Sequence, residues 1–201
     1  MKRLTIATVV ILVFFLILGI TPTHGEEQIY EGVLRLHVLA NSDSDEDQAL
    51  KLKVRDAIVE FCTARLFDCK SRDEAETRLS GMMDEIRETA KATLRENGSD
   101  FEVRVTLGEE DYPRRSYDRL CFPAGRYLSL RVLIGEGKGK NWWCVLFPPL
   151  CLGAATEQEQ KDAFIAAGFT QNQYKVITES DKVTYKMRFK ILEWLETLRK
   201  N

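Results

Sequence analysis

Apolar and polar positions alternate over several stretches of the chain and predict strands. Between residues 33 and 40, "VLRLHVLA" places leucines and a valine on one side of a strand and Arg35 and His37 on the other. Three more strands are predicted, at residues 101–107, 127–134 and 141–147. The glycine-rich residues 135–140 join the last two as a hairpin-like connection.

A helical spacing of apolar residues predicts three helices between and after these strands. The first covers residues 45–66, with Ser44 as its N-cap and acidic residues in its first turn. The second begins at Ser71, where Glu74 completes a capping box, and runs to Asn97-Gly98. The third is a short helix between Thr156 and Gly168. The tail from residue 181 fits both a strand and a helix, and we favour the helix because helix formers dominate its second half.

This order of elements predicts a single α+β domain. We expect a small, mostly antiparallel sheet packed by two long helices, with a helical C-terminal segment. We divide the chain into residues 1–25, a signal peptide or N-terminal membrane anchor, residues 31–153, the main domain, and residues 154–201, a C-terminal helical extension packed on that domain.

The N-terminus predicts export. Lys2 and Arg3 precede an uncharged apolar run at residues 4–20, followed by small and polar residues with a plausible cleavage point after Gly25. The run is also just long enough to span a bilayer, so a cleaved signal and a retained anchor both remain open. Beyond Gly25 lie all 31 acidic residues and all the basic residues except Lys2 and Arg3. Such a mildly acidic, mixed surface argues against nucleic-acid binding.

Two polar segments imitate ligand-binding loops without meeting their requirements. Gly139-Lys140 lacks both the preceding glycine and the following serine or threonine of a phosphate-binding loop. The segment "NSDSDEDQ" resembles the start of a calcium loop, but Gln48 and Val54 stand where an EF-hand needs glycine and a carboxylate. We therefore interpret the first as a turn and the second as helix capping.

Neither a catalytic site nor a metal site is indicated. His37 is the only histidine after the N-terminal segment, there is no G-x-S-x-G elbow, and no C-x-x-C pair is present. A single histidine within a strand is more often a packed or half-exposed residue than a base or a ligand. We expect no enzyme activity, no cofactor and no metal.

Two long segments carry a resemblance to a known family. "RLHVLANSDSDEDQALKLKVRDAI" and "PAGRYLSLRVLIGEGKGKNWWCVLFPPLC" are similar to the stage II sporulation protein R family. The resemblance implies a non-enzymatic signal that is made in the forespore and secreted across its membrane into the intermembrane space. There it would activate a membrane-embedded aspartic protease of the mother cell that processes the sigma-E precursor. It would touch the membrane only through its N-terminal segment.

A partner-binding surface is predicted where the two segments come together. Trp142 and Trp143 point to opposite faces of their strand, so we expect one of them to be exposed. Gln48, Lys51 and Arg55 share one helix face that the core does not need. The predicted contact residues are Arg35, His37, Asn41, Asp43, Gln48, Lys51, Arg55, Asn141, Trp142 and Trp143.

The five cysteines and one alternative function complete the predictions. Pro148-Pro149 forces a turn between Cys144 and Cys151 that can bring them within disulfide distance. Cys62 and Cys69 are a weaker second pair, which requires their helix to end near residue 66, and Cys121 is then left over. The alternative function is an exported hydrolase or cell-envelope-binding protein that uses His37 and the loop at residues 41–47.

Overall fold

The structure, a computed structural model, describes residues 27–117, 119–149 and 156–179. The predicted signal or anchor, Cys151 and the tail from residue 181 lie outside these ranges. Within them, no helix combines the length and apolarity that crossing a membrane requires.

The described elements fall into a short helix and strand, a run of three helices, a run of five strands and two final helices. In chain order they are α1 (Glu27–Gly32), β1 (Leu34–Leu39), α2 (Asp45–Leu66), α3 (Arg72–Ser80), α4 (Met83–Glu96), β2 (Val103–Tyr112), β3 (Arg115–Tyr117), β4 (Leu120–Phe122), β5 (Gly125–Ile134), β6 (Asn141–Phe147), α5 (Glu157–Ala166) and α6 (Gln171–Glu179). The α+β class is confirmed, and α2 and β6 have their predicted bounds.

Four strands form a mixed sheet in the order β2-β5-β1-β6. Strand β1 is parallel to β5 and antiparallel to β6, and β2 is antiparallel to β5. The hairpin-like connection predicted for residues 135–140 is therefore wrong, because β1 lies between the two strands that this loop joins. All six residues of β1 are buried, which suits a central position.

Helices α2, α3 and α4 cover one face of the sheet, which we call the helix face. Its core contains alternate residues of every strand, such as Leu36 and Leu130, together with Ile58 and Ile86 from the helices. The second predicted helix is wrong as a single element, since it breaks between α3 and α4 at Gly81-Met82. Glycine inside a helix costs about 1 kcal/mol, and this one stands at the C-cap of α3.

A second, aromatic core lies on the other face of the sheet. It joins α1, α5, α6 and the small β3–β4 sheet through Phe122, Tyr127, Phe164 and Tyr174. The predicted short helix is confirmed as α5, with a complete capping box at Thr156. Strands β3 and β4 have three residues each, too few to show a period in the sequence. The described residues belong to one compact unit.

Candidate functional site

The glycine-rich loop at residues 135–140 is held by the segment that follows β1. All six of its backbone N–H groups donate hydrogen bonds within the chain. Their acceptors, in order, are Glu102 O, Asn41 Oδ1, Ile134 O, Asn41 O, Ala40 O and Asp43 Oδ1. A phosphate-binding loop directs such groups at its ligand. This loop is therefore a structural turn.

Two glycines of this loop leave no space for a side chain. A methyl group at Gly139 would collide with the carbonyl oxygen of Ser42, and one at Gly135 would collide with the Asn41 amide. Gly135 also has φ +58°, in the left-handed region that favours glycine. The loop and the segment after β1 thus fit together only with these residue types.

The acidic segment at residues 43–47 caps α2, as predicted. Ser44 Oγ accepts a hydrogen bond from the backbone N–H of Asp47. The Asp47 carboxylate accepts hydrogen bonds from Asn41 Nδ2 at 2.8 Å and Ser42 Oγ at 2.6 Å, and these bonds lower its pKa. Among the residues that the structure describes, no cluster of acidic, histidine and cysteine side chains could hold a metal ion.

Lys51 is buried, which corrects its prediction as part of a solvent-facing helix surface. Its Nζ donates to Gln48 Oε1 at 2.6 Å and to the carbonyl oxygen of Lys140 at 3.0 Å. Burial lowers the pKa of this amine. Gln48 Nε2 in turn donates to the carbonyl oxygen of Ser42. We call the contact between residues 41–51 and 135–140 the loop junction.

Arg35 is also buried, and the expectation that a partner could contact it on the surface is wrong. Its side chain is 0% exposed, and Nη2 donates to the Tyr117 hydroxyl at 2.6 Å. Four aromatic rings enclose the guanidinium at 4.2–5.6 Å from its central carbon, those of Tyr112, Tyr117, Phe122 and Tyr127. Nε and Nη1 have no hydrogen-bond partner in the part of the chain that the structure describes.

His37 is packed, which is one of the two environments expected for a single strand histidine. Its Nδ1 lies 2.8 Å from Glu110 Oε1 and its Nε2 lies 2.8 Å from Asn141 Oδ1. Ser129 Oγ donates to the other Glu110 oxygen at 2.9 Å and lies 2.7 Å from the Tyr112 hydroxyl. Both ring nitrogens of His37 are thus engaged within the domain.

Trp143 lies beside His37 on the same face of the sheet, with ring centroids 5.4 Å apart. The guanidinium of Arg115, from β3, stacks on the Trp143 ring at 3.9 Å. On the opposite side of His37, Arg131 Nε lies 3.7 Å from Glu110 Oε1. We call the surface formed by Arg115, Trp143, His37, Glu110 and Arg131 the arginine face.

Sequence reasoning missed Glu110, Arg115, Ser129 and Arg131. The period of β5 places Ser129 and Arg131 on one side of that strand, so this signal was available. Nothing local indicated that Glu110 or Arg115 would reach β1 and β6. Those contacts depend on strand order and on the fold of the β3–β4 sheet.

Trp142 is the exposed member of the tryptophan pair, as predicted for one of the two. Its side chain is 38% exposed, and the guanidinium of Arg55 stacks on it at 4.3 Å. Arg55 also pairs with Asp56. Tryptophan and arginine are the residue types most enriched at binding hot spots. Partner binding by these residues stays a prediction.

The cysteines separate into two groups. Helix α2 ends at Leu66, as a Cys62–Cys69 bond would require, but both thiols are free and buried, so that pairing is wrong. Burial raises the pKa of the Cys62 thiol to about 12. Cys121 Sγ lies 3.1 Å from Arg114 Nε. Because Cys151 lies outside the described residues, its bond to Cys144 stays a prediction.

Comparison with known proteins gives a consistent result. Residues 30–157 match the family model described as "Stage II sporulation protein R (spore_II_R)". A protein of Bacillus subtilis (strain 168), "Stage II sporulation protein R", is 39% identical over 141 residues, which cover 67% of this chain and 63% of that protein. No solved structure matches. The family match covers both the loop junction and the arginine face, and the chain belongs to the stage II sporulation protein R family.

Proposed function

We propose that this protein is an exported signal of sporulation that activates a membrane-embedded aspartic protease of the mother cell and is not itself an enzyme. Secreted across the forespore membrane into the intermembrane space, it would lead to processing of the sigma-E precursor. Family membership supports the role in sporulation. The protease, the secretion and the retained or cleaved N-terminal segment are parts of the proposal.

The observation that carries a binding role is the stacked pair of Trp142 and Arg55. Trp142 lies near the start of β6, the edge strand of the sheet, and is the most exposed tryptophan in the part of the chain described. An exposed indole under a guanidinium offers apolar area and donors at one point, which suits an anchor for another protein. Trp142 is not one of the residues that form the helix-face core.

The hydrolase alternative receives less support. His37 is 5% exposed, and both ring nitrogens are occupied by Glu110 and Asn141. The side chains of Asn41 and Asp43 are occupied by the loop junction. A general base must reach the proton it removes. These groups instead hold the domain together.

The test is co-expression of the full-length protein with the candidate protease and the sigma-E precursor in a host that does not sporulate. We expect precursor cleavage to require this protein. Trp142→Ala should lower the cleavage rate at least tenfold, because loss of a hot-spot side chain costs about 2 kcal/mol of binding.

Leu52→Ala is a matched control, because this residue is also an exposed large apolar side chain on the domain. It should leave cleavage within twofold of the wild type. Thermal melts of all variants show whether they fold. Cleavage without this protein, or none with it, would contradict the proposed function. If Trp142→Ala folds and supports precursor cleavage at the normal rate, Trp142 is not part of the contact surface.

A further inference from the structure

The arginine face forms one row across the sheet. In the strand register Arg131 on β5 is opposite His37 on β1, and His37 is opposite Trp143 on β6. Arg115 lies above the Trp143 ring at the end of this row. Arg115, Arg131 and Trp143 are each partly exposed. The two guanidinium groups therefore flank a histidine and an indole, and of these two rings the indole is partly exposed.

Donors in this region exceed the acceptors that the domain supplies. Among the described residues, Arg115 Nε and Arg131 Nε are shielded from solvent and have no hydrogen-bond partner, and the same holds for Nε and Nη1 of the buried Arg35. Most buried polar atoms in proteins are hydrogen-bonded, and guanidinium groups favour paired carboxylate oxygens. Arg35 is fully enclosed, but Arg115 and Arg131 are partly exposed, so their guanidinium groups can take an acceptor from outside the domain.

The arginine face also carries more positive than negative charge. Glu110 is the carboxylate that lies within this row, and its oxygens already contact His37, Ser129 and Arg131. Arg115 has no carboxylate within ion-pair distance in the described ranges. Arg35 adds a further positive charge beneath the surface. One carboxylate cannot neutralise three arginines, so the face is cationic although the chain as a whole is acidic.

We propose that the arginine face binds an extended acidic segment of the partner protein, with a carboxylate of that segment between Arg115 and Arg131. An apolar side chain of the same segment would lie against Trp143. The aromatic ring favours a peptide over a small anion, since an isolated phosphate or sulfate would leave the exposed part of the indole uncovered. This inference rests on the proposed function and names the chemistry that the partner must present.

The Arg115→Gln/Arg131→Gln double variant tests the proposal in the co-expression system. It removes both charges while keeping much of the side-chain volume and some donors. We expect precursor cleavage to fall at least tenfold, with a melting temperature close to that of the wild type. Arg131→Gln alone keeps the Arg115–Trp143 stack and should lower precursor cleavage severalfold. This single variant tests the proposal if the double variant unfolds.

Arg126→Gln is the matched control. This arginine is exposed and lies on β5 like Arg131, but five positions away, so its side chain points to the other face of the sheet. The rate of precursor cleavage with this variant should stay within twofold of the rate with the wild type. The proposal would be overturned if Arg131→Gln and the double variant both fold and both support precursor cleavage at the wild-type rate. An equal loss in Arg126→Gln would also overturn it, because the effect would then reflect general charge.

A binding measurement keeps this inference separate from the proposed function. Calorimetry would compare the purified full-length protein with a decapeptide of alternating leucine and glutamate and with its leucine–glutamine counterpart. We expect the acidic peptide to bind at least tenfold more tightly, and this preference to disappear in the Arg131→Gln variant. Equal affinities for the two peptides would overturn the inference. Failure of wild-type cleavage alongside a clear acidic preference would instead overturn only the proposed function.

Discussion

The loop junction and the arginine face are both polar regions that draw residues from the same two sequence segments, and Glu110 and Arg115 join only the arginine face. The two regions differ in how completely their polar groups are paired. At the loop junction all six N–H groups of residues 135–140 and the buried Lys51 amine have acceptors within the domain. Within the described part of the chain, Nε of Arg115 and of Arg131 at the arginine face has none, and neither do Nε and Nη1 of the buried Arg35, a neighbour of His37 on β1. A paired polar network stabilises one conformation, whereas an unpaired one indicates where a partner can supply what is missing.

Loss of volume at Arg35 should give the largest effect on stability and shows what the unpaired region contributes to the fold. Arg35→Ala leaves a cavity among four aromatic rings and should cost about 3 kcal/mol. Arg35→Met keeps most of the volume and removes an incompletely paired charge, so it should stay within about 1 kcal/mol of the wild type. Urea unfolding measures both variants.

The Met variant decides between two accounts of Arg35. If Arg35→Met is as unstable as Arg35→Ala, the guanidinium itself stabilises the domain through its rings and Tyr117. The contrast between the two regions would then be weaker, because aromatic rings would take the place of the missing hydrogen-bond acceptors at Arg35.

Gly139→Ala probes the loop junction and should have the next largest effect. Its new methyl group would collide with the Ser42 carbonyl oxygen, so the junction must shift, at a cost of about 2 kcal/mol. For a chain of this size the melting temperature should fall by several degrees. Gly108→Ala is the control, since a methyl group there has no neighbour within 4 Å. It should be neutral or slightly stabilising in the same melts. Equal melting temperatures for the two variants would show that the junction adapts freely.

Asp47 gives the smallest predicted effect, through pH. Its folded pKa lies below the usual value of about 3.9, because Ser42 and Asn41 hydrogen-bond the carboxylate. The stabilisation is therefore present above about pH 4 and is lost as pH falls through the folded pKa. In thermal melts from pH 6 to pH 2, the melting temperature of the wild type should exceed that of Asp47→Asn at pH 6. This difference in melting temperature should shrink below pH 4. A difference that stays constant with pH would show that charge on Asp47 does not contribute.

The sequence predicted single helices and strands better than the tertiary contacts between them. Ser44, Thr156 and Gly168 correctly marked helix ends, because capping depends on residues three or four positions apart. Arg35 and His37 were correctly assigned to one side of β1, since the strand period is local. Their burial could not be predicted, because the β3–β4 sheet, which helps to complete the aromatic core on that face, has strands too short to show a period in the sequence.

Taken alone, the sequence determined the type and bounds of α2 and β6, the capping of α2 and α5 and the turn at residues 135–140. All of these follow from interactions over a few residues. Only the tertiary structure placed β1 between β5 and β6 and buried Lys51 beneath the loop. It also brought Asp43 to Lys140, which is 97 positions away, and Arg115 to Trp143. Those contacts depend on which distant strands pair, and that choice is made by the summed burial of the whole sheet rather than by any local pattern.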